Sequence, residues 1–135
     1  MTVLNDFTWR VVEKDLEGLA QRFKAVSRNI ANANTPGYAR RNVSFEDQLR
    51  DVITGGRRLT MTVTSERHIP SHPLGLDDVK PAEIKIKDER YRLDQNNVDP
   101  EREMSVLGET RMMYTAMTRI VGKKLSGYRT VIAGR

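Results

Sequence analysis

Residues 9–30 read WRVVEKDLEGLAQRFKAVSRNI, and within them Trp9, Val12, Leu16, Leu19, Phe23, Val26 and Ile30 recur at intervals of 3, 4, 3, 4, 3 and 4. That spacing is the apolar seam of a heptad repeat, which lines one side of a helix and asks for a partner helix. The positions between, among them Arg10, Glu13, Lys14, Glu17, Gln21 and Lys24, are polar or charged. No proline interrupts residues 1–35. The pattern predicts one helix of about 30 residues, roughly 45 Å long. Its end is marked by Asn32, Asn34 and Thr35 and then by Pro36-Gly37, where proline presets the first turn position and glycine supplies a positive φ at the second.

The C-terminal segment is the partner. Asp99 is suited to cap a helix, Pro100 to open it, and Glu101 and Glu103 to complement its positive end. The apolar series then runs Met104, Leu107, Tyr114, Met117, Val121, Leu125, Tyr128 and Ile132, with Arg111 and Thr118 standing where apolar residues are expected. A second stripe runs Val106, Met113, Met117 and Ile120. One partner helix does not need so wide an apolar surface, so further copies or homologues are expected against it. In this reading Val12, Leu16, Leu19, Phe23, Val26 and Ile30 pack with Leu107, Tyr114, Met117, Val121, Leu125, Tyr128 and Ile132, and the second stripe serves contacts between subunits. Gly108, Gly122 and Gly127 weaken the helix but allow close approach.

The middle has another texture. Residues 43–53 suggest a short extended piece followed by a short helix, broken at Gly55-Gly56. Leu59, Met61 and Val63 alternate with threonines as in a half-buried strand. Pro70, Pro73 and Pro81 mark an irregular loop over 65–82, and Ile84, Ile86, Tyr91 and Leu93 around a charged tetrad suggest a β-hairpin. The expected fold is mainly α with a small β-containing middle region, its long N- and C-terminal helices packed as an antiparallel coiled-coil pair. The expected divisions are 1–34, 35–96 and 97–135.

The composition narrows the chemistry. The 135 residues include 38% apolar and 30% charged side chains, which suits a soluble folded chain. There is no cysteine, which excludes disulfides, zinc–thiolate sites and thiol nucleophiles. No stretch is apolar enough to be a transmembrane segment, and the first residues do not look like a cleavable signal. The net charge is +5, and residues 110–135 carry six basic side chains and no acidic one. That arrangement fits a helix C-terminus or an acidic partner surface. It fits nucleic acid poorly, because the cations are spread around the helix among apolar residues and no recognition motif accompanies them. His68 and His72 have a metal-ligand spacing, but Pro70 between them argues against a helix and no third ligand is evident, so no metal site is expected. Nothing sets a nucleophile beside a base, and no phosphate-binding glycine loop occurs. No catalytic residue, enzyme activity or cofactor is expected.

Residues 29–38 read Asn29-Ile30-Ala31-Asn32-Ala33-Asn34-Thr35-Pro36-Gly37-Tyr38. This resembles the motif that follows the first helix of bacterial flagellar rod and hook proteins. Four further features resemble the short proximal-rod members of that family: Phe45-Glu46, Arg67-His68-Ile69, Asn96-Asn97-Val98-Asp99 with Glu103-Met104, and the ending Gly122-Lys123-Lys124-Leu125-Ser126-Gly127-Tyr128-Arg129. Of two sister members, the unbroken Thr35-Pro36-Gly37-Tyr38 and the Arg67-His68-Ile69 run favour the one that is not FlgC. The motif residues carried over are Asn29, Asn32, Asn34, Thr35, Pro36, Gly37, Tyr38, Asn97 and Asp99. The resemblance implies a structural role in the periplasmic rod of the basal body, as a self-assembling helical tube between the MS ring and the distal rod. It implies export by the flagellar type III apparatus without a cleaved signal. The partners implied are other copies of the chain, FlgC, FlgF, the adaptor FliE and the MS-ring protein FliF. A basic nucleic-acid-binding helical protein is the alternative from another class.

Overall fold

The computed structural model describes residues 7–55, 75–86 and 93–134. In chain order its elements are α1 (Phe7–Ala31), β1 (Arg41–Ser44), α2 (Glu46–Thr54), a single 3-10 turn (Leu76–Asp78), β2 (Ala82–Lys85) and α3 (Pro100–Ala133). The long helices run antiparallel. Asn29, near the end of α1, bonds Glu103 in the first turn of α3. Trp9, near the start of α1, stacks on Tyr128 near the end of α3, with ring centroids 6.2 Å apart. The indole Nε1 donates to the Tyr128 hydroxyl at 3.1 Å, and Lys124 Nζ lies 5.2 Å from the Trp9 ring centre.

α1 has two working faces, where the heptad pattern showed one. Along the seam, Leu19 and Val26 are buried. A second line, Val11, Gly18, Ala25 and Asn29, faces the middle region. Leu19 and Ala25 share a core with Val43 and Phe45, against which Met113 and Met117 of α3 pack. Val11 packs with Val52 against a smaller core of Leu49, Leu76 and Val79. At Gly18 the Phe45 ring comes so near that a Cβ there would lie 2.4 Å from Cδ2. No real contact is that short, so glycine is what lets β1 and α2 seat against the helix. Arg22, one turn on from Gly18, lies over the Phe45 ring, 5.1 Å from its centre, and pairs with Glu46 at 2.8 Å.

β1 and β2 form an antiparallel pair, with Arg41 opposite Lys85 and Ser44 opposite Ala82. The strand containing Ile84 finds a partner some 40 residues earlier in the chain, and Leu93 lies exposed in a turn. Residues 87–92, which hold the turn of the hairpin suggested around residues 87–90, and the suggested strand at Leu59, Met61 and Val63 lie outside the described residues, as do His68 and His72.

Both α3 stripes contribute to the inward side. Met117, which belongs to both, packs against the Leu19 core as expected, and Met113 of the second stripe joins it there. Tyr114, Leu125 and Ile132 of the first stripe are 44%, 40% and 85% exposed. The fully buried positions on α3 are neither stripe. They are Glu103 and Thr110, one heptad apart and followed at the same interval by Met117.

Candidate functional site: the asparagine junction

Where α1 ends and α3 begins, the chain folds its most polar motif into its interior. Asn29, Asn96 and Asn97 are buried together with Arg40 and Glu103. A buried amide or charge is tolerated only when its hydrogen bonds are made, and here each one reads a specific piece of backbone or pairs with another side chain.

Asn29 serves β1. Its Nδ2 donates to the Arg41 carbonyl at 2.7 Å, and its Oδ1 accepts from the Arg41 amide at 2.9 Å. The side-chain amide therefore does for Arg41 what a neighbouring strand would. The same Nδ2 donates to Glu103 Oε2 at 2.9 Å, and the Tyr38 hydroxyl donates to Asn29 Oδ1 at 3.2 Å. Asn97 extends the ladder at its end. Its Oδ1 accepts from the Arg40 amide and its Nδ2 donates to the Ile86 carbonyl, both at 2.6 Å. The Ile86 amide in turn donates to the Arg40 carbonyl at 2.9 Å.

Asn96 closes the turn after α1. Its Nδ2 faces the carbonyls of Asn32, Ala33 and Thr35 at 3.0, 3.0 and 2.9 Å. These carbonyls belong to the turn that follows α1, where the Asn32 carbonyl also accepts from the Thr35 amide and the Thr35 carbonyl from the Tyr38 amide. Its Oδ1 accepts from the Val98 amide at 2.8 Å, a local turn of the kind asparagine favours. Gly37, at φ +70°, donates its amide to the Asp94 carbonyl. Asp99 caps α3 as the sequence indicated, accepting from the Glu101 and Arg102 amides, with Pro100 opening the helix.

The structure thus brings Asn29, Asn32, Thr35, Gly37, Tyr38, Asn97 and Asp99 to one junction, while Asn34 and Pro36 sit exposed on its turn. Of the helix-packing candidates, Leu19 and Val26 are buried, while Val12, Leu16, Ile30, Leu107, Met117, Val121 and Tyr128 are half-buried. Phe23, Tyr114, Leu125 and Ile132 are exposed. Sequence reasoning missed Arg40, Asn96 and Glu103 as a buried set. Glu103 read as a helix-dipole partner, because the first turn of a helix is where a solvated carboxylate is expected. The available signal was that all three adjoin the two polar motifs. Arg111 is exposed.

Among the described residues no group of three or more His, Asp or Glu side chains could hold a metal ion. No helix among them is long and apolar enough to cross a membrane. What the junction can do is mechanical: it ties the end of one long helix, the start of the other and the intervening sheet into one unit. That defines a class of protein, a helix pair tied at one end by a buried polar junction and leaving apolar side chains of α3 exposed toward the other.

The model of the family described as "Flagella basal body rod protein" matches residues 16–38, which run from mid-α1 through the junction turn. The chain is 32% identical over 133 residues to the flagellar basal body rod protein FlgB of Salmonella typhimurium, covering 96% of this chain and 95% of that one. It is 31% identical to FlgB of Escherichia coli over 131 residues, 94% of each chain. It is also 31% identical to FlgB of Borreliella burgdorferi over 122 residues, 87% of this chain and 90% of that one. The chain belongs to the FlgB family of flagellar basal body rod proteins. It is a structural component of the rod and not an enzyme, and neither the FlgC reading nor the nucleic-acid reading is favoured.

Proposed function

We propose that the chain is a subunit of the proximal rod, which self-assembles with other rod proteins into a helical tube between the MS ring and the distal rod. Residues 1–34 and 97–135 form the tube, and residues 35–96 lie outside it. The observation that carries this reading is the exposed apolar surface of α3. Ile120, Leu125, Val131 and Ile132 are exposed along a helix whose other end is locked into the junction. A rigid unit with apolar side chains exposed on two flanks of one helix gains by burying them against neighbours. Neighbours joined through non-identical surfaces, by a rotation that does not close, build an open helical array.

The neighbours in this reading are further copies, FlgC, FlgF, the adaptor FliE and the MS-ring protein FliF. The subunit reaches the periplasmic rod through the flagellar type III apparatus with no signal removed, which the intact mass of the chain from purified basal bodies tests. The assembly itself is tested by deleting the gene in the source bacterium and imaging isolated basal bodies. The deletion is complemented with the wild type and with Leu125→Asp. MS rings without a rod, restored to rods and swimming by the wild type alone, are the expected result. Normal rods in the deletion strain, with no second copy of the gene, overturn the reading.

A further inference from the structure

α3 carries two apolar stripes that compete to face α1. Val106 of one and Leu107 of the other are adjacent in sequence and so point about 100° apart around the helix. Burial of apolar area alone favours turning one stripe or the other squarely onto α1. The structure does neither. The most buried positions of the helix are instead Glu103 and Thr110, 0% and 1% exposed and in neither stripe, and the same interval then leads to Met117, the one residue the two stripes share. A carboxylate and a hydroxyl at these positions are the opposite of what a packing seam prefers. Each is held by specific bonds: Glu103 by Arg40 Nε and Asn29 Nδ2, and Thr110 by the Val106 carbonyl at 2.7 Å. A slip of α3 by one heptad, about 10 Å along the axis, would preserve apolar contact but set Thr110 against Arg40 and leave that charge buried without its partner.

We infer that the Arg40–Glu103–Asn29 cluster sets the register and rotation of α3 on α1, and thereby selects which stripe is left outward for the neighbouring subunit. The second half rests on the assembly reading above. A buried polar group that fixes register at some expense of stability is a known device in paired helices. Here it acts at one end of the pair, so its effect is legible at the other.

The chain has no cysteine and one tryptophan, which makes the test clean. Spin labels at Lys24→Cys and Ser126→Cys, both exposed sites offset along the helix pair, report register by pulsed electron paramagnetic resonance. Trp9, stacked on Tyr128 far from the cluster, reports it independently by its emission. The variant is Arg40→Met with Glu103→Leu, which removes both charges together. The inference expects a helical protein with a second distance population, displaced by as much as about 10 Å for a slip. It also expects a shifted, heterogeneous Trp9 emission. A single wild-type distance with wild-type Trp9 emission overturns it. If the double variant does not fold, Glu103→Gln is measured in the same way, and a single wild-type distance there also overturns it. The distances are read on the isolated chain and hold whether or not it builds a rod. In the deletion strain, a displaced variant that still restores swimming overturns the link between register and assembly alone.

Discussion

Arg40 and Glu103, 63 residues apart in the chain, form an ion pair with 8% and 1% of their side chains exposed. The pair joins the residue before β1 to the first turn of α3, so it spans the seam between the middle region and the helix pair. Removing one partner leaves the other charge buried and alone, which is far worse than never having had the pair. Arg40→Ala is expected to destabilise the chain by about 3–5 kcal/mol, and replacing both residues with apolar side chains by much less. Urea unfolding followed by circular dichroism measures both. A double variant as unstable as Arg40→Ala would refute the account.

Gly18 and Phe45 make the closest approach between α1 and the middle region. Gly18→Ala improves helix propensity by about 1 kcal/mol. It also drives a methyl group into the Phe45 ring, an overpacking expected to cost about 1–3 kcal/mol. The variant is expected to be destabilised on balance, and a smaller side chain at position 45 should restore part of the loss. A double-mutant cycle with Phe45→Leu checks this. Additive effects would mean that the two residues are not coupled.

The Asn96 Nδ2 group faces three carbonyls in the turn after α1 and cannot be imitated by its acid. Asn96→Ala removes these buried hydrogen bonds, at about 1–3 kcal/mol. Asn96→Asp is isosteric but turns an oxygen toward those carbonyls, so it is expected to be the more damaging at neutral pH and to recover partly in acid as the new carboxyl protonates. Thermal melts of both variants at two pH values separate the cases. Equal melting temperatures throughout would show that the bonds to Asn32, Ala33 and Thr35 contribute little.

These residues also show what the sequence could and could not reveal. The α1 seam was legible because apolar side chains at a 3–4 spacing have one explanation. The α1 face toward the middle region was not, because Gly18, Ala25 and Asn29 are small or polar and leave no hydrophobic signal. The start of α3 was legible from Asp99 and Pro100, since caps are local chemistry. The burial of Glu103 four residues later was not, because it depends on Arg40 and Asn29 arriving from elsewhere. The pairing of β2 with β1 was not legible either, because it too is non-local. The junction asparagines were legible as a motif, but not in the backbone groups each one reads.

Two carboxylates should respond to acid in opposite ways. Burial pushes the Asp15 carboxyl up, with Glu46 adding to the effect and Arg22 opposing it. The folded chain therefore holds that proton more tightly than the unfolded one. Ionised Asp15 is a burden at neutral pH, and the burden lifts as pH falls through the folded pKa and below the unfolded value. Asp15→Asn is expected to raise stability at pH 7 by less than about 1 kcal/mol, because the site is half exposed and screened. The gain should vanish well below about pH 4. The hydrogen bond from Arg41 holds Glu83 below its ordinary range, so Glu83 contributes stability above the unfolded value that is lost as pH falls through the folded one. Glu83→Gln should lower the melting temperature at pH 7 and leave it unchanged in strong acid. The same sign of change for both variants at pH 7 would contradict these assignments.

Met113 and Ile132 separate the stability of the subunit from its assembly. Met113 is half-buried against the Leu19 core, whereas Ile132 is 85% exposed near the end of α3. Truncating Met113 to alanine removes packing within the chain, at about 1–2 kcal/mol for a half-buried site. Truncating Ile132 should change the stability of the isolated chain by no more than about 0.5 kcal/mol. In a rod the order reverses if the exposed face of α3 is where neighbours bind. Ile132→Asp should then abolish swimming in the complemented deletion strain while leaving the melting temperature of the isolated chain intact. Met113→Ala should lower the melting temperature and still swim, since the junction continues to set the register of the helices. An Ile132→Asp strain that swims normally would move the assembly contact off this face. A Met113→Ala chain with unaltered stability would place Met113 outside the subunit core.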